Sequence, residues 1–213
     1  AYGSGDLASN FILVLSSTSV IFFYTEALKL NAAIIGLIMM ASRLFDGVSD
    51  ILMGFIMDKT KSKRGKARAW IYWLAIPISI SMVLLFLVPN MGDIGKYIYV
   101  AITYNLVTTV LYTAINIPYG AMTALMTRDQ GERMSINVFR MVMAQIGSVI
   151  INMITIPLVN ALGGTTHQTS WILASIIYGV IACALFYFKK EFMLKIQVKM
   201  YKKWDFLKWL RFV

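Results

Sequence analysis

Charged residues are scarce in this chain, and so are the side chains on which many enzymes and metal centres depend. Only 14% of its 213 residues are charged, whereas about a quarter are charged in an ordinary soluble domain. Its one cysteine, Cys183, permits no internal disulfide. Its one histidine, His167, cannot assemble a histidine-based triad or zinc site. No glycine-rich phosphate loop precedes a helix. We therefore expect neither an enzyme nor a bound cofactor.

Apolar residues, in contrast, are abundant and come in long runs. They make up 59% of the chain, and the mean hydropathy is +0.70. Each run reaches the ~20 residues that a helix needs to cross a bilayer, and none alternates in polarity as barrel strands do. Helices satisfy their own backbone in lipid. The pattern predicts an all-α membrane domain over 1–188 with six transmembrane helices, at about 7–28, 32–57, 69–89, 97–126, 135–161 and 169–188.

The net charge of +10 is unevenly distributed along the chain. Six of the 20 basic residues lie in the loop at 58–68, and eight more lie from Lys189 onward. The alternate loops carry only Lys29 and Lys96. This positive-inside pattern predicts a multi-pass protein of the cell membrane with both termini in the cytoplasm, and no nucleic-acid partner. The tail, 189–213, is basic and aromatic; it is either an amphipathic interfacial segment or a non-native end.

Two acidic residues lie inside the second apolar run, where charge is costly. Asp46 and Asp50 are one helical turn apart, so both carboxylates project from one face. In a low dielectric they would repel unless one took up a proton or a cation lay between them. We expect a monovalent cation or a proton there, with Ser49 as a further ligand and Arg43 as charge partner. The alternative is a structural ion pair in which Arg43 neutralises one aspartate.

Other polar residues occur in the first, fourth and fifth runs. Amides and a guanidinium in a water-filled cavity suit a hydroxyl-rich ligand. For each one taken singly, an ordinary interhelical hydrogen bond is the alternative. The residues concerned are Asn10, Tyr112, Thr113, Asn116 and Arg140.

Several motifs, in order along about residues 2–188, resemble the glycoside–pentoside–hexuronide:cation symporters, the group within the major facilitator superfamily that contains the melibiose permease. The loop after the second run also resembles the loop motif of that superfamily, with Gly54, Asp58, Arg64, Gly65 and Lys66 as its members. The other matching motifs are Tyr2-Gly3-Ser4-Gly5-Asp6, Phe23-Tyr24-Thr25-Glu26, Arg43…Asp46…Asp50, Asn116-Ile117-Pro118-Tyr119-Gly120, Glu132-Arg133 and Arg140.

This resemblance implies secondary active transport, in which a sugar or glycoside moves with Na⁺, Li⁺ or H⁺ by alternating access. It implies one half of the twelve-helix fold, the N-terminal one, built from two inverted three-helix repeats. A second six-helix half or a homodimer partner would complete the cavity. The alternatives are a truncated, non-transporting membrane fragment, a regulatory or binding subunit, and a lipid transporter of the same superfamily.

The resemblance also assigns roles by position. Asp46, Ser49, Asp50 and Thr113 would bind the cation, and no other metal is expected. Asn10, Tyr112, Asn116 and Arg140 would face the sugar. Asn10 and Asn116 stand where the melibiose permease has acidic residues, Ser49 where it has asparagine and Gly120 where it has tryptophan. A pentoside, a hexuronide or another glycoside is therefore expected as readily as a galactoside.

Overall fold

Helices dominate the part of the chain that the structure describes. In this computed structural model the described residues are 4–62, 66–126 and 129–185, and side chains are described for 9–62, 69–123 and 129–185. Within these ranges there is no β-strand, and five helices are long and apolar enough to cross a membrane. The prediction of an all-α membrane protein is confirmed at this level. The tail at 189–213 lies outside the described residues.

The first helical stretch precedes those five spans. It comprises α1 (Ser4–Val14), a π-helical segment (Leu15–Ser19) and α2 (Val20–Glu26). We call it the α1–α2 stretch. It ends in a turn in which Lys29 has a positive φ of 55°.

A second π-helical segment interrupts one of the spans that follow. Asp93–Asn105 (α5), the π segment Leu106–Tyr112 and Thr113–Met126 (α6) run together, and we call them the α5–α6 stretch. The remaining helices are α3 (Ala32–Lys59), α4 (Lys66–Phe86), α7 (Gln130–Ala161) and α8 (Gln168–Leu185).

Two helices begin earlier than predicted, and an acidic residue stands at or next to each of these starts. The fifth run begins at Gln130 rather than at 135, because the Asp129 carboxylate accepts a hydrogen bond from the Gly131 backbone N–H at 2.7 Å. The fourth run begins at Asp93 rather than at 97, with an acidic residue in its first turn, where the helix dipole favours it. Apolar periodicity does not register such polar first turns, so the sequence prediction started both helices too late.

An aromatic cluster joins three helices at one end of the bundle. Trp171 of α8 is buried and stacks on Phe86 of α4, with ring centroids 6.0 Å apart and an interplanar angle of 4°. Phe23 of α2 lies 5.7 Å from the Trp171 ring. The Trp171 indole N–H donates to the Thr165 carbonyl at 2.8 Å, so its polar atom is satisfied. This cluster fixes the ends of α2, α4 and α8 relative to one another.

The helix packing brings the second and fourth apolar runs together. α3 packs along α6 and the π segment before it, α4 also packs against α6, and α1 packs along α7. α3 and α7 bury little of their surface within the described residues and carry many exposed apolar side chains. The polar residues of α3 are therefore presented to the α5–α6 stretch, while its apolar face points away from the bundle.

Candidate functional site

Two hydroxyl–carboxylate hydrogen bonds link α3 to the α5–α6 stretch. The Thr109 hydroxyl donates to Oδ1 of Asp46 at 2.6 Å, and the Thr113 hydroxyl donates to Oδ1 of Asp50 at 3.1 Å. The two aspartates are one turn apart on α3, and the two threonines have the same spacing on the facing helix. The two bonds consequently form consecutive rungs between the helices. We call Asp46 and Asp50 the carboxylate pair.

The π segment Leu106–Tyr112 shapes this side of the site. A π turn inserts an extra residue into a helix, and such turns often occur at functional positions. The Ser49 hydroxyl donates to the backbone carbonyl of Thr109 in this segment at 2.7 Å. Thr109 is thereby tied to α3 through both its backbone and its side chain, and Ser49 faces the same helix as the carboxylate pair.

The two aspartates of the carboxylate pair differ in their charge partners. Arg43 Nη1 lies 3.4 Å from Oδ2 of Asp46, with the Arg43 side chain 59% exposed and that of Asp46 22% exposed. Among the residues with described side chains, no basic group pairs with Asp50; its one hydrogen bond comes from Thr113. The structural ion-pair interpretation therefore accounts for Asp46 and leaves the charge of Asp50 without a counterion within the described ranges.

The predicted sugar-facing residues lie on three helices. Tyr112 and Asn116 are half-buried on the α5–α6 stretch, and the Asn116 amide makes no hydrogen bond to another described residue. The carboxamide oxygen of Asn10 on α1 accepts from the Ser148 hydroxyl of α7 at 3.4 Å.

Arg140 of α7 is held against α6. Its guanidinium donates to the Thr123 hydroxyl at 3.0 Å and lies over the Tyr119 ring, 4.5 Å from the centroid. Tyr119 is fully buried, so the guanidinium rests on a fixed aromatic surface.

The predicted loop motif is only partly described. Gly54 and Asp58 lie in the last two turns of α3, and Lys66 begins α4. Arg64, Gly65 and the Lys66 side chain lie outside the described residues. The two helices are joined nearby, because the Trp70 indole N–H donates to the Thr60 hydroxyl at 3.0 Å.

Sequence reasoning missed Thr109, whose hydroxyl makes the shorter of the two carboxylate bonds. Asn105, which contacts the same hydroxyl at 3.2 Å, was missed as well. The available signal was the spacing: Thr109 precedes Thr113 by one turn, just as Asp46 precedes Asp50. Ser148 gave no comparable signal, because its partner Asn10 is far away in the sequence and no periodicity links them.

In the described part of the helical bundle, an apolar helix carries two aspartates, the partly buried Asp46 and the exposed Asp50, each hydrogen-bonded to a buried threonine. Charged residues on such a helix are typical of membrane carriers, and a family model agrees with this class. The model described as "MFS/sugar transport protein" matches residues 1–205, so the chain belongs to this family of major facilitator transporters. The family predicted from the motifs is thus confirmed.

Curated relatives agree with this family. The inner membrane symporter YicJ of Escherichia coli (strain K12) is 39% identical over 163 residues, which are 76% of this chain and 35% of YicJ. The isoprimeverose transporter of Lactiplantibacillus pentosus is 34% identical over 189 residues, 88% of this chain and 39% of that protein. The uncharacterized symporter YnaJ of Bacillus subtilis (strain 168) is 38% identical over 189 residues, 88% of this chain and 41% of YnaJ. The chain thus spans about two fifths of the length of these relatives.

Proposed function

We propose that the chain works in secondary active transport, as part of a symporter that moves a sugar or glycoside together with a monovalent cation by alternating access. The observation that carries the proposal is the carboxylate pair, which lies within an apolar helix and accepts hydroxyl bonds from the facing stretch. Charged side chains within a membrane-spanning helix mark substrate or ion pathways. The relatives named as symporters support the same function.

The coupling cation is cargo, and Na⁺, Li⁺ or H⁺ fits the side chains. Asp46, Asp50, Ser49 and Thr113 offer carboxylate and hydroxyl oxygens, the ligands that hard cations prefer. In this proposal, the sugar contacts Asn10, Tyr112, Asn116 and Arg140. Asn116 supports this role, since its half-buried amide has donors and an acceptor to offer. The proposed residues perform no covalent step, and the role is that of a carrier rather than an enzyme.

In this proposal the helices form two three-helix repeats of a six-helix transmembrane domain. The α1–α2 stretch would be the first of six transmembrane helices and the α5–α6 stretch the fourth, each opening a three-helix repeat. Both stretches carry a π segment, and α1 packs along α7 as α6 packs along α3. These correspondences support two inverted repeats. The chain would then be the N-terminal half of a cell-membrane transporter with cytoplasmic termini. A second six-helix half or a homodimer partner would cover the exposed faces of α3 and α7.

Gradient-driven uptake tests this function. The full chain, with a separate second half if one is encoded beside it, is reconstituted into proteoliposomes. Labelled glycosides are then supplied with an inward Na⁺, Li⁺ or H⁺ gradient. We expect accumulation that collapses with the gradient and is lost in Asp50→Asn.

The matched control is Asp93→Asn, which removes an exposed carboxylate at the start of α5, far along the chain from the carboxylate pair. It should retain uptake. Gradient-independent behaviour of the wild type would contradict symport and favour a binding or regulatory subunit. Uptake of a lipid instead of a glycoside would favour the lipid-transporter alternative.

A further inference from the structure

Thr109 is the most closely tied polar residue of the candidate site, and no sequence motif pointed to it. Its hydroxyl oxygen lies 2.6 Å from Oδ1 of Asp46 and 3.2 Å from Oδ1 of Asn105. A hydroxyl has one proton to donate. The shorter contact and the charged acceptor both favour donation to Asp46, since hydrogen bonds to ionised groups are shorter and stronger.

The surroundings of Thr109 fix the direction of that bond. Its backbone carbonyl accepts the Ser49 hydroxyl at 2.7 Å. The Asn105 amide donates to the Ala101 carbonyl at 2.8 Å, which aims the Asn105 oxygen towards Thr109. Thr109 is itself buried. The hydroxyl is therefore held in one place by contacts on both helices.

Asp46 depends on this hydroxyl for its orientation. The terminal torsion of an aspartate side chain is broad, so the carboxylate plane must be set by its partners. Oδ2 has only the 3.4 Å contact with a largely exposed Arg43, whereas Oδ1 has the 2.6 Å bond to a buried donor. The Thr109 bond is the one that determines where the two oxygens point.

We propose that Thr109 is a positioning residue for the coupling cation: it holds the Asp46 carboxylate in the orientation that binds Na⁺ and thereby sets the affinity for this ion. This inference rests on the proposed function and adds a residue to it. Ordering a ligand before binding lowers the cost of binding. Removal of the hydroxyl should therefore weaken Na⁺ binding while leaving the sugar-facing residues intact.

The test is Na⁺ binding to the full purified chain, measured by titration calorimetry at constant ionic strength. Thr109→Val keeps the shape of the side chain and removes the hydroxyl. We expect its half-saturating Na⁺ concentration to rise about 3- to 20-fold, the factor that corresponds to the ~0.6–1.7 kcal/mol found for hydrogen bonds within membranes. Thr109→Ser retains the donor and should return the value to within about twofold of the wild type.

Thr108 supplies the matched control. It lies in the same π segment and is buried, but its hydroxyl donates to the Tyr104 carbonyl at 2.9 Å instead of to a carboxylate. Thr108→Val should leave Na⁺ affinity unchanged. Glycoside binding at saturating Na⁺ should be the same in all variants, which a general loss of structure would not permit. If Thr109→Val does not fold, Thr109→Ala takes its place.

The possible results separate the two claims. Equal Na⁺ affinity in Thr109→Val and the wild type would overturn the positioning role alone. An equal loss in Thr108→Val would overturn it too, because the effect would then belong to the π segment as a whole. A wild type that binds no Na⁺ would also overturn it, and gradient-driven uptake would then decide the transport proposal independently.

Discussion

Arg43 acts as a resident cation beside the proposed ion site, and its removal should strengthen Na⁺ binding. Its guanidinium lies 3.4 Å from Asp46. A cation on that carboxylate would therefore be repelled by it. Two unit charges 4 Å apart interact by ~1 kcal/mol in water and ~4 kcal/mol at an effective dielectric of 20. Because the Arg43 side chain is 59% exposed, the lower part of that range applies. About 1–2 kcal/mol corresponds to Na⁺ binding about 5- to 30-fold tighter.

The loss of the Arg43 contact that orients Asp46 would weaken Na⁺ binding, but this opposing effect should be small. Arg43 also helps to orient Asp46, but exposed ion pairs contribute only ~0–1 kcal/mol, and this contact is long for a hydrogen bond. The removal of charge repulsion should therefore outweigh the loss of orientation, so that Arg43→Gln binds Na⁺ more tightly. Arg43→Gln is compared with Arg43→Lys, which retains the charge, by Na⁺ titration of the purified protein with choline as the replacing ion. Weaker or unchanged Na⁺ binding in Arg43→Gln would refute the competition and make Arg43 chiefly an orienting group.

Three further predictions concern the packing and the proposed sugar-facing residues. Trp171→Ala should destabilise the protein by ~3–5 kcal/mol, because it leaves a cavity in a buried aromatic cluster. Thermal unfolding measures this loss, and Trp73→Ala, at an exposed indole, should lower the stability much less. Gly179→Ala should lower the unfolding temperature, because an added Cβ would lie 3.3 Å from a backbone carbonyl of α4. Gly47→Ala, where a Cβ would meet nothing within 4 Å, should not lower it. Arg140→Lys should weaken glycoside binding about 2- to 30-fold at unchanged Na⁺ affinity, since lysine cannot reproduce the planar guanidinium contact; equal weakening of both ligands would contradict separate roles.

The sequence was informative about the fold because the bilayer leaves few choices. Apolar length and the scarcity of charge predicted membrane-spanning helices from physical arguments alone. The starts of α5 and α7 were missed because hydropathy cannot detect polar first turns. Asp93 is the first residue of α5, and the Asp129 side chain caps α7. The π segments were missed as well, since nothing in a sequence such as Leu106–Tyr112 distinguishes a π turn from an α turn.

For the candidate site, the spacing of residues along one helix predicted more than could be predicted about contacts between helices. Asp46 and Asp50 were identifiable from one helix, because their four-residue spacing places them on one face. Their donors lie on another helix: Thr113 was assigned from the family resemblance, whereas Thr109 was identified only from the helix packing, although its one-turn spacing from Thr113 was a signal. The contact of Arg140 with Tyr119 likewise depends on the way α7 meets α6.

The central claim is that this chain binds a cation and a glycoside in one coupled site, and the most direct test is reciprocal binding to the purified protein. A panel of glycosides is titrated with and without Na⁺, and Na⁺ is titrated with and without the glycoside that binds best, beside Asp50→Asn. Coupling between two ligands is reciprocal. We therefore predict that each ligand strengthens the other by the same factor, and that the factor falls to one in Asp50→Asn. Glycoside affinity that does not respond to Na⁺, Li⁺ or pH would contradict the claim.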